Sequence, residues 1–410
     1  MNRAPLLVRR VRQEEPRRHW DAPARAVFEH AGGPLRVLGG PGTGKTTLLA
    51  EVVARRVRDG VHPENVLVIT PNRRAAAEMR AHITRLLTGA RSDGVLPTTQ
   101  EPLVRTVHSY AFAVLRAQAV LKGEPAPRLL SGPEQDAVVR ELLAGDVSTG
   151  APKWPERLRP ALTLPGFAHE LRDLMLRATE RGLAPEDLTE LGRQQSREEW
   201  VAAGLFATQY EQVNLLASSG QGHAPSFDAA ELVGSALLAF QTEPDVLAGE
   251  RRRVRHLLVD DAQHLDPLQF EFLRELGRAA HEFILSGDPD QAVFSFRGAD
   301  PTLLAEADGP AVVLTTGHRM TPEIRAAVGR LAGRLPGASP TRSVSPADGE
   351  GAVQVRLFAS AAQEASWVAD QLRRAHLIDE VPWSRMAVVA RSATRSLPVL
   401  QRALLAAGVP

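Results

Sequence analysis

The chain has 410 residues, of which 43% are apolar and 24% charged, and its formal net charge is +1. This length and composition suit about two to three globular domains, and no segment reaches the roughly 18–20 apolar residues that span a bilayer. The chain contains no cysteine, which excludes thiolate-bound metals, disulfides and cysteine catalysis within these residues.

The N-terminal segment, residues 1–19, is basic. Its longest apolar run is only LLV (6–8), whereas a signal peptide needs roughly 7–15 apolar residues. The segment therefore predicts a cytoplasmic protein. The small net charge disfavours a protein that wraps duplex DNA, but it allows single-strand binding by base stacking.

Short apolar runs alternate with helical patterns along much of the chain. Predicted strands lie at 35–38, 66–70, 103–107, 256–260, 282–286 and 311–316, and predicted helices include 45–57 and 74–87. Continuous rather than alternating apolar runs indicate strands that are buried on both faces. The pattern predicts an α/β fold, a doubly wound parallel sheet formed by residues 20–112 and 223–318.

Two regions interrupt or follow this alternation. Residues 113–222 show helical periodicity and no clear strand, which predicts an inserted helical subdomain. Residues 319–410 begin with a helix and continue into a Pro-, Gly- and Ser-rich stretch (336–351), predicted as an exposed loop. New strands are predicted at 352–358 and 386–391, with a helix between them.

The segment GGPGTGKT (39–46) fits the G-x-x-x-x-G-K-[ST] pattern of a phosphate-binding loop. It follows a predicted strand and opens a predicted helix, which is the context that the pattern requires. Backbone N–H groups and the helix dipole of such a loop favour phosphate oxygens. We therefore expect Lys45 to reach the β- and γ-phosphates and Thr46 to ligate Mg²⁺, rather than a glycine-rich turn without a ligand. The predicted nucleotide-binding residues here are Gly39, Gly40, Pro41, Gly42, Thr43, Gly44, Lys45, Thr46 and Thr47.

Two adjacent carboxylates, Asp260 and Asp261, end the predicted strand HLLVD (256–260). A carboxylate at the tip of a buried strand beside a phosphate loop holds Mg²⁺ through water in nucleotide triphosphatases. The alternative is that the pair only caps the following helix. We expect Asp260 to be the metal-side group, and the sequence predicts a nucleotide triphosphatase core.

Four more segments follow predicted strands: TPNRRAAAEMR (70–80), TVHSYAFAVLR (106–116), SGDPDQAVFSFRGAD (286–300) and LTTGHRM (314–320). In this order and spacing, the chain resembles the UvrD/Rep-type superfamily 1 DNA helicases over roughly residues 20–410. The combination of VDDAQ, TPNRRAA and TTGHR is most similar to the AdnA-type subunit of actinobacterial helicase–nuclease heterodimers. The resemblance implies a RecA-like motor domain that uses ATP and Mg²⁺, and the start of a second RecA-like domain in residues 319–410.

The resemblance also implies roles at the nucleotide. Gln291 would contact the γ-phosphate and report its presence, and Arg319 would stabilise transition-state charge as an arginine finger. Asp228 also matches a family segment, but its spacing to Glu231 is that of a helix capping box. We take the structural interpretation there.

Implied DNA contacts come from other residues. Phe294 and Phe296 would lie at the DNA site, with Phe296 stacked on a base; the alternative is a strand that turns both rings into a core. Arg74, His108 and Arg297 would contact backbone phosphates or couple the two sites. For His108, a purely structural role is a close alternative.

The sequence departs from the family pattern at three positions. Pro23 stands where relatives carry the glutamine that reads adenine, which puts selectivity for ATP over GTP in doubt. Pro71 replaces an aromatic residue that stacks on DNA in relatives. Asp261 replaces the usual glutamate base and is one methylene shorter, and a misplacement of about 1 Å can lower a rate about 100-fold. We expect Asp261 to be a weakened base that slows turnover.

The motifs and the resemblance together predict the motor region of an ATP-dependent DNA helicase or translocase, and the resemblance implies 3′→5′ polarity on single-stranded DNA. Its expected role is DNA-end processing or recombinational repair with a partner helicase–nuclease subunit. The alternative is a DNA-binding scaffold subunit with a weak ATPase, and the Gln291, Phe296 and Arg319 series disfavours an unrelated kinase. Because the family's second motor-domain arginine would lie beyond Pro410, we expect these 410 residues alone to hydrolyse ATP very slowly.

Overall fold

The computed structural model describes residues 19–89, 103–218 and 225–410. The basic N-terminal segment, apart from His19, and the predicted domain boundary at 222/223 lie outside these ranges. The chain separates into two compact units, Met1–Glu350 and Gly351–Pro410. The four predicted domain limits themselves stay a prediction.

The first unit contains the strands β1 (Gly33–Gly39), β2 (Val66–Ile69), β3 (Leu103–Arg105), β4 (Arg128–Leu129), β5 (Ser226–Phe227), β6 (His256–Val259), β7 (Glu282–Gly287) and β8 (Ala311–Leu314). Six of these strands form a parallel sheet at its centre, in the order β3-β2-β6-β7-β1-β8. The six strands of this sheet coincide with the six predicted apolar runs to within a few residues. Strands β4 and β5 form a separate parallel pair.

Helices connect and cover the strands. They are α1 (Ala22–Phe28), α2 (Lys45–Arg58), α3 (Arg73–Gly89), α4 (Val107–Lys122), α5 (Gly132–Ser148), α6 (Pro165–Glu180), α7 (Pro185–Gln194), α8 (Glu198–Ser218), α9 (Ala229–Thr242), α10 (Pro244–Arg253), α11 (Pro267–Gly277), α12 (Thr302–Glu306), α13 (Pro322–Ala332), α14 (Ala361–Leu377) and α15 (Ala393–Ala406). Among the helices in the described ranges, none is both long and apolar enough to cross a membrane.

Local signals explain where several helices begin and end. The Thr106 hydroxyl accepts the N–H of Ser109 at 3.2 Å and starts α4, and Gly123 ends it in the left-handed conformation. The predicted capping box of α9 is confirmed: Asp228 accepts the N–H of Glu231 at 2.8 Å, and Glu231 accepts the N–H of Asp228 at 2.8 Å.

Hydrophobic cores lie on both faces of the sheet, as a doubly wound fold requires. One contains Tyr110 and Phe272 from α4 and α11, and the other contains Leu48 and Met79 from α2 and α3. A third core, centred on Trp154, joins helices α5–α8. The predicted α/β class is confirmed, and the inserted helices form a core of their own.

Two strand predictions in the second unit were wrong. Segments 352–358 and 386–391 have no regular secondary structure and belong to no sheet. Val355, Leu357 and Val389 are 88%, 97% and 93% exposed. An apolar run becomes a buried parallel strand only where neighbouring strands take its hydrogen bonds, and within residues 351–410 no strand pairs with either segment.

In the first unit, strand β4 lies inside residues 113–222, the region that was predicted to be wholly helical.

The prediction of an exposed loop at 336–351 was wrong for its middle part. Thr341 is 1% exposed and Val344 is 9% exposed. Ser345 donates its N–H to the Thr315 carbonyl at 2.7 Å, and Arg325 donates to the Val344 carbonyl at 2.9 Å. Long-range hydrogen bonds therefore hold a segment whose composition is that of a surface loop.

A buried ionic cluster joins β7 to α2 at the amino ends of the strands. Glu282, 1% exposed, accepts hydrogen bonds from Arg56 at 2.6 Å and from His256 at 2.9 Å. Burial opposes the charged carboxylate, but the hydrogen bonds from His256 and Arg56 keep the pKa of Glu282 below its usual value. The stabilisation is therefore complete above the carboxyl's unfolded pKa, and it is lost as pH falls through the lower folded pKa.

We expect Glu282→Gln to lower the free energy of unfolding by about 2–4 kcal/mol at neutral pH, because it leaves the part-buried Arg56 charge without its carboxylate partner. Urea titration measures this loss, and the variant should also lose less stability than the parent as pH is lowered. Glu64→Gln, on an exposed residue, is the matched control and should change stability by less than about 0.5 kcal/mol. A loss from Glu282→Gln no larger than that of the control would show that the cluster does not stabilise the fold.

Candidate nucleotide-binding site

Four loops meet at one edge of the sheet. They follow β6, β7, β1 and β8, which are neighbours in that order, so their carboxyl ends lie side by side. In open parallel sheets this edge is where ligands bind. The loops carry the predicted phosphate-binding residues, the two aspartates, Gln291 and Arg319.

The phosphate loop needs glycine at two positions. Gly42 and Gly44 have φ angles of 81° and 84°, in the left-handed region that favours glycine. A Cβ on Gly40 would lie 2.5 Å from the Thr341 carbonyl oxygen, and one on Gly42 would lie 2.9 Å from the Arg319 Cβ. The loop is therefore closely packed by chain from two later segments.

Lys45 is the first residue of α2 and is buried. Its Nζ donates to the carbonyls of Gly39 and Gly40 at 2.6 and 3.2 Å. Burial lowers the pKa of Lys45, while the nearby negative charges of Asp288, Asp261 and Asp260 oppose that shift. The amine thus lies inside the phosphate loop among the predicted acidic residues.

Asp260 follows β6 and is 4% exposed. Burial first, and then the neighbouring charge of Asp261, raise the pKa of Asp260 to about 7, although the Thr46 hydroxyl and the Asp261 N–H hydrogen-bond to it. A desolvated carboxylate beside a hydroxyl fits a hard divalent cation, whose charge would favour the ionised form. In the described ranges no group of three or more His, Cys, Asp or Glu side chains could hold a metal.

Asp288 connects several of these segments, and the sequence analysis assigned it no role. It is 1% exposed and accepts hydrogen bonds from the Gln291 amide at 2.7 Å and the Thr341 hydroxyl at 2.6 Å. Arg342 makes a two-pronged pair with Asp290, at 2.7 and 3.0 Å. The GDPDQ block could have indicated Asp288, but no local signal indicates that Thr341 and Arg342 return to it.

Gln291 and Arg319 come to this edge of the sheet from different loops. The Gln291 side chain is held by Asp288 in the turn after β7. Arg319 is exposed beside Gly42, and the preceding residue, His318, donates its N–H to the Gly42 carbonyl at 2.9 Å. The structure therefore brings both predicted γ-phosphate contacts to the same edge.

An aromatic cluster follows Gln291 and consists of half-buried Phe294 with exposed Phe296 and Arg297. Phe296 lies in a 3₁₀ turn and is 71% exposed, which excludes the alternative of a core-facing strand for this ring. The two phenylalanine rings are 6.3 Å apart, and the Arg297 guanidinium lies 5.7 and 5.4 Å from their centroids. Such a surface suits stacking on flat rings combined with positive charge.

The remaining predicted residues lie after β2, after β3 and in α1. Arg74 is 90% exposed and pairs with Glu78 at 2.9 Å. His108 is half-buried in the first turn of α4, and burial lowers its pKa. Pro23 lies in the first turn of α1, where proline suits a helix, and Pro71 is exposed. Their proposed contacts with DNA or adenine stay predictions.

Comparison with known proteins agrees with this arrangement. Residues 20–311 match the profile of the UvrD/REP helicase N-terminal domain. The chain is 27% identical to the ATP-dependent DNA helicase UvrD1 of Mycobacterium bovis over 403 residues, which covers 94% of this chain and 48% of that protein. It is 26% identical to the ATP-dependent DNA helicase PcrA of Leuconostoc citreum, over 71% of this chain and 36% of that protein.

A third relative is DNA helicase II of Haemophilus influenzae, 24% identical over 64% of this chain and 33% of that protein. The chain spans about half the length of the first relatives. The family profile covers well over half of the chain, including the phosphate loop and the carboxyl ends of β6 and β7 beside it. The match of residues 20–311 to the family's N-terminal domain therefore shows that the protein belongs to the UvrD/REP helicase family.

Proposed function

We propose that the protein is an ATP-dependent DNA helicase or translocase motor that moves 3′→5′ on single-stranded DNA. The observation that carries this proposal is the continuity of the segment after β7. Within it, Asp288 holds Gln291 at the edge of the sheet that carries the phosphate loop, and the aromatic cluster with exposed Phe296 begins three residues later. One short segment can thus report the state of the nucleotide to a surface that suits DNA bases.

The chemistry of the nucleotide edge supports ATP and Mg²⁺ as ligands. Lys45 would contact the β- and γ-phosphates, and Thr46 and Asp260 would hold Mg²⁺, which neutralises phosphate charge. Asp261 would orient and deprotonate the attacking water. Arg319 would supply positive charge to the transition state.

The biological role that we propose is DNA-end processing or recombinational repair in the cytoplasm, in association with the nucleoid. The sequence motifs VDDAQ, TPNRRAA and TTGHR support an AdnA-type subunit that works with a partner helicase–nuclease subunit. Single-stranded DNA and DNA ends would be the substrates.

A second candidate function is a DNA-binding scaffold subunit with an auxiliary ATPase. The specific observation in its favour is the set of departures at Pro23, Pro71 and Asp261, each of which removes a group that relatives use. The scaffold would bind DNA without accelerating ATP hydrolysis.

ATP hydrolysis by the native polypeptide, measured with and without single-stranded DNA, tests the proposal. A motor is expected to turn over faster with DNA and to separate strands only from a 3′ overhang. DNA binding without stimulation of hydrolysis would select the scaffold, and the absence of MgATP binding would contradict both the motor and its proposed nucleotide site.

We expect Phe296→Ala to weaken single-stranded DNA binding by about 1–3 kcal/mol, because base–aromatic stacking is worth that much per base. DNA-stimulated hydrolysis should fall more than basal hydrolysis, and the melting temperature should change little because the ring is 71% exposed. Fluorescence anisotropy with a labelled oligonucleotide measures the affinity. Leu331→Ala, at a 67% exposed residue of α13, is the control. Unchanged DNA affinity together with a lower melting temperature would show that Phe296 is structural.

A further inference from the structure

Gln263 is a buried amide beside the proposed base, and no motif assigned it a role. It lies two residues after Asp261 in a 3₁₀ turn and is 1% exposed. A buried amide must satisfy its donors and acceptor within the protein, because leaving them unpaired is costly. Its hydrogen bonds therefore show what it holds in place.

The orientation of this amide is fixed by a backbone group. Asp288 donates its N–H to the Gln263 Oε1 at 3.0 Å. Because an N–H must meet an oxygen, the NH₂ group of the amide faces the other way. There the Gln263 Nε2 donates to the Asp261 Oδ1 at 3.2 Å.

A glycine leaves the space for this amide. A Cβ on Gly287 would lie 2.3 Å from the Gln263 Oε1, closer than any packed side chain allows. The strand end of β7 and the amide therefore fit together only because position 287 has no side chain.

The backbone conformation of Asp261 indicates that surrounding contacts hold this residue in place. Asp261 has φ 52° and ψ 45°, a left-handed conformation that is uncommon for a non-glycine residue and persists only where surrounding contacts determine it. Its own N–H is engaged by the Asp260 carboxylate at 3.1 Å. The amide of Gln263 is a contact that acts directly on the Asp261 carboxylate.

We propose that Gln263 is a positioning residue, which holds the Asp261 carboxylate in the orientation for water activation and ties it to the turn that carries Gln291. This inference rests on the proposed ATPase function. The path runs from Asp261 through the Gln263 amide to Asp288, whose carboxylate accepts the Gln291 amide at 2.7 Å. A change at Gln291 on contact with a γ-phosphate would therefore be passed to the base through Asp288, by its carboxylate and its backbone N–H, and then through the Gln263 amide.

The experiment uses the native polypeptide and the variants Gln263→Glu and Gln263→Leu. Gln263→Glu keeps an oxygen for the Asp288 N–H but removes the donor to Asp261, and Gln263→Leu removes both. For Gln263→Glu we expect kcat at saturating DNA to fall about 10- to 100-fold, in line with the cost of misplacing a reacting group by about 1 Å. MgATP affinity from calorimetric titration should stay within about two-fold, since Lys45, Thr46 and Asp260 are unchanged. Gln269→Glu, the same substitution on a nearby half-buried residue of α11, should leave both values unchanged.

Two further measurements separate positioning from a general structural effect. In an Asp261→Ala background, Gln263→Glu should change kcat by less than about two-fold, because the group it positions is gone. Independently of activity, hydrogen exchange at the Asp288 amide should stay slow in Gln263→Glu and become faster in Gln263→Leu.

Failure of this inference can be distinguished from failure of the proposed function. Unchanged kcat in Gln263→Glu, effects that multiply with Asp261→Ala, a parallel loss of MgATP affinity, or unaltered Asp288 exchange in Gln263→Leu would each overturn the inference. Those results leave the proposed ATPase intact as long as the parent protein hydrolyses ATP. A parent protein that neither binds nor hydrolyses MgATP would overturn the proposed function and this inference together.

Discussion

Lys45→Ala is expected to lower MgATP affinity by at least about 100-fold and to leave no measurable hydrolysis. A charge-assisted hydrogen bond contributes about 1.5–3 kcal/mol, and the amine of Lys45 would contact two phosphates at once. The substitution also leaves Asp260, Asp261 and Asp288 without the positive charge that lies among them. Isothermal titration with MgATP measures the affinity directly.

The fold should survive this change. Burial lowers the pKa of Lys45, which means that the charged amine is costly inside the loop, so its removal need not destabilise the protein. Lys122→Ala, which removes an exposed amine paired with Glu243 at 2.7 Å, is the matched control and should bind MgATP normally. Unchanged affinity in the folded Lys45→Ala protein would remove the nucleotide site from residues 39–47.

The strands of the first unit were predictable because their signal is local. Segments such as 66–69 and 257–259 are continuous apolar runs, which is the pattern of a strand buried on both faces. Apolar residues also predicted strands at 352–358 and 386–391, but there the structure supplies no pairing strand. An apolar segment becomes a buried strand only where neighbouring strands pair with it.

The sequence predicted those site residues whose role follows from their place in a local motif. Lys45 follows from the spacing of the phosphate loop, and Asp260 follows from its place at a strand end. Gln263, Asp288 and Thr341 act through contacts with residues 25 to 53 positions away, such as the 2.6 Å hydrogen bond from Thr341 to Asp288. No periodicity or spacing in the sequence records such pairs, and the proline-rich surroundings of Thr341 pointed to a surface loop instead.

The 339–345 segment contacts the phosphate loop and adds chain from a later part of the sequence to the proposed nucleotide site. Thr341 and Val344 pack on Gly40, and Arg342 pairs with Asp290 in the turn after β7. Arg319 enters the same edge from the loop after β8 and lies beside Gly42. The phosphate loop is therefore flanked by two segments from residues 315–345, so a charge carried by either of them can act on a bound phosphate.

Arg319→Ala is expected to lower kcat for ATP hydrolysis by about 10³- to 10⁵-fold, the effect of removing an arginine finger. The reason is geometric as well as electrostatic. A Cβ on Gly42 would lie 2.9 Å from the Arg319 Cβ, and the His318 N–H anchors the loop on the Gly42 carbonyl at 2.9 Å. The guanidinium therefore starts next to the phosphate loop, on an exposed side chain that can turn toward a γ-phosphate. MgATP affinity should fall far less than kcat, because charge stabilisation of this kind is needed mainly in the transition state.

Arg319→Lys separates charge from shape. Lysine keeps the positive charge but loses the planar fork that contacts two oxygens at once, so its rate should lie between those of the parent and Arg319→Ala. Arg330→Ala, on an exposed residue of α13, removes the same group away from the edge and should hydrolyse ATP like the parent. Single-turnover hydrolysis at saturating single-stranded DNA, with MgATP affinity measured in parallel, distinguishes the possibilities. If Arg319→Ala lowers MgATP affinity but leaves the rate at saturating MgATP unchanged, Arg319 only binds nucleotide. If it changes neither, the γ-phosphate does not meet this side chain, and the transition-state charge must be stabilised from elsewhere.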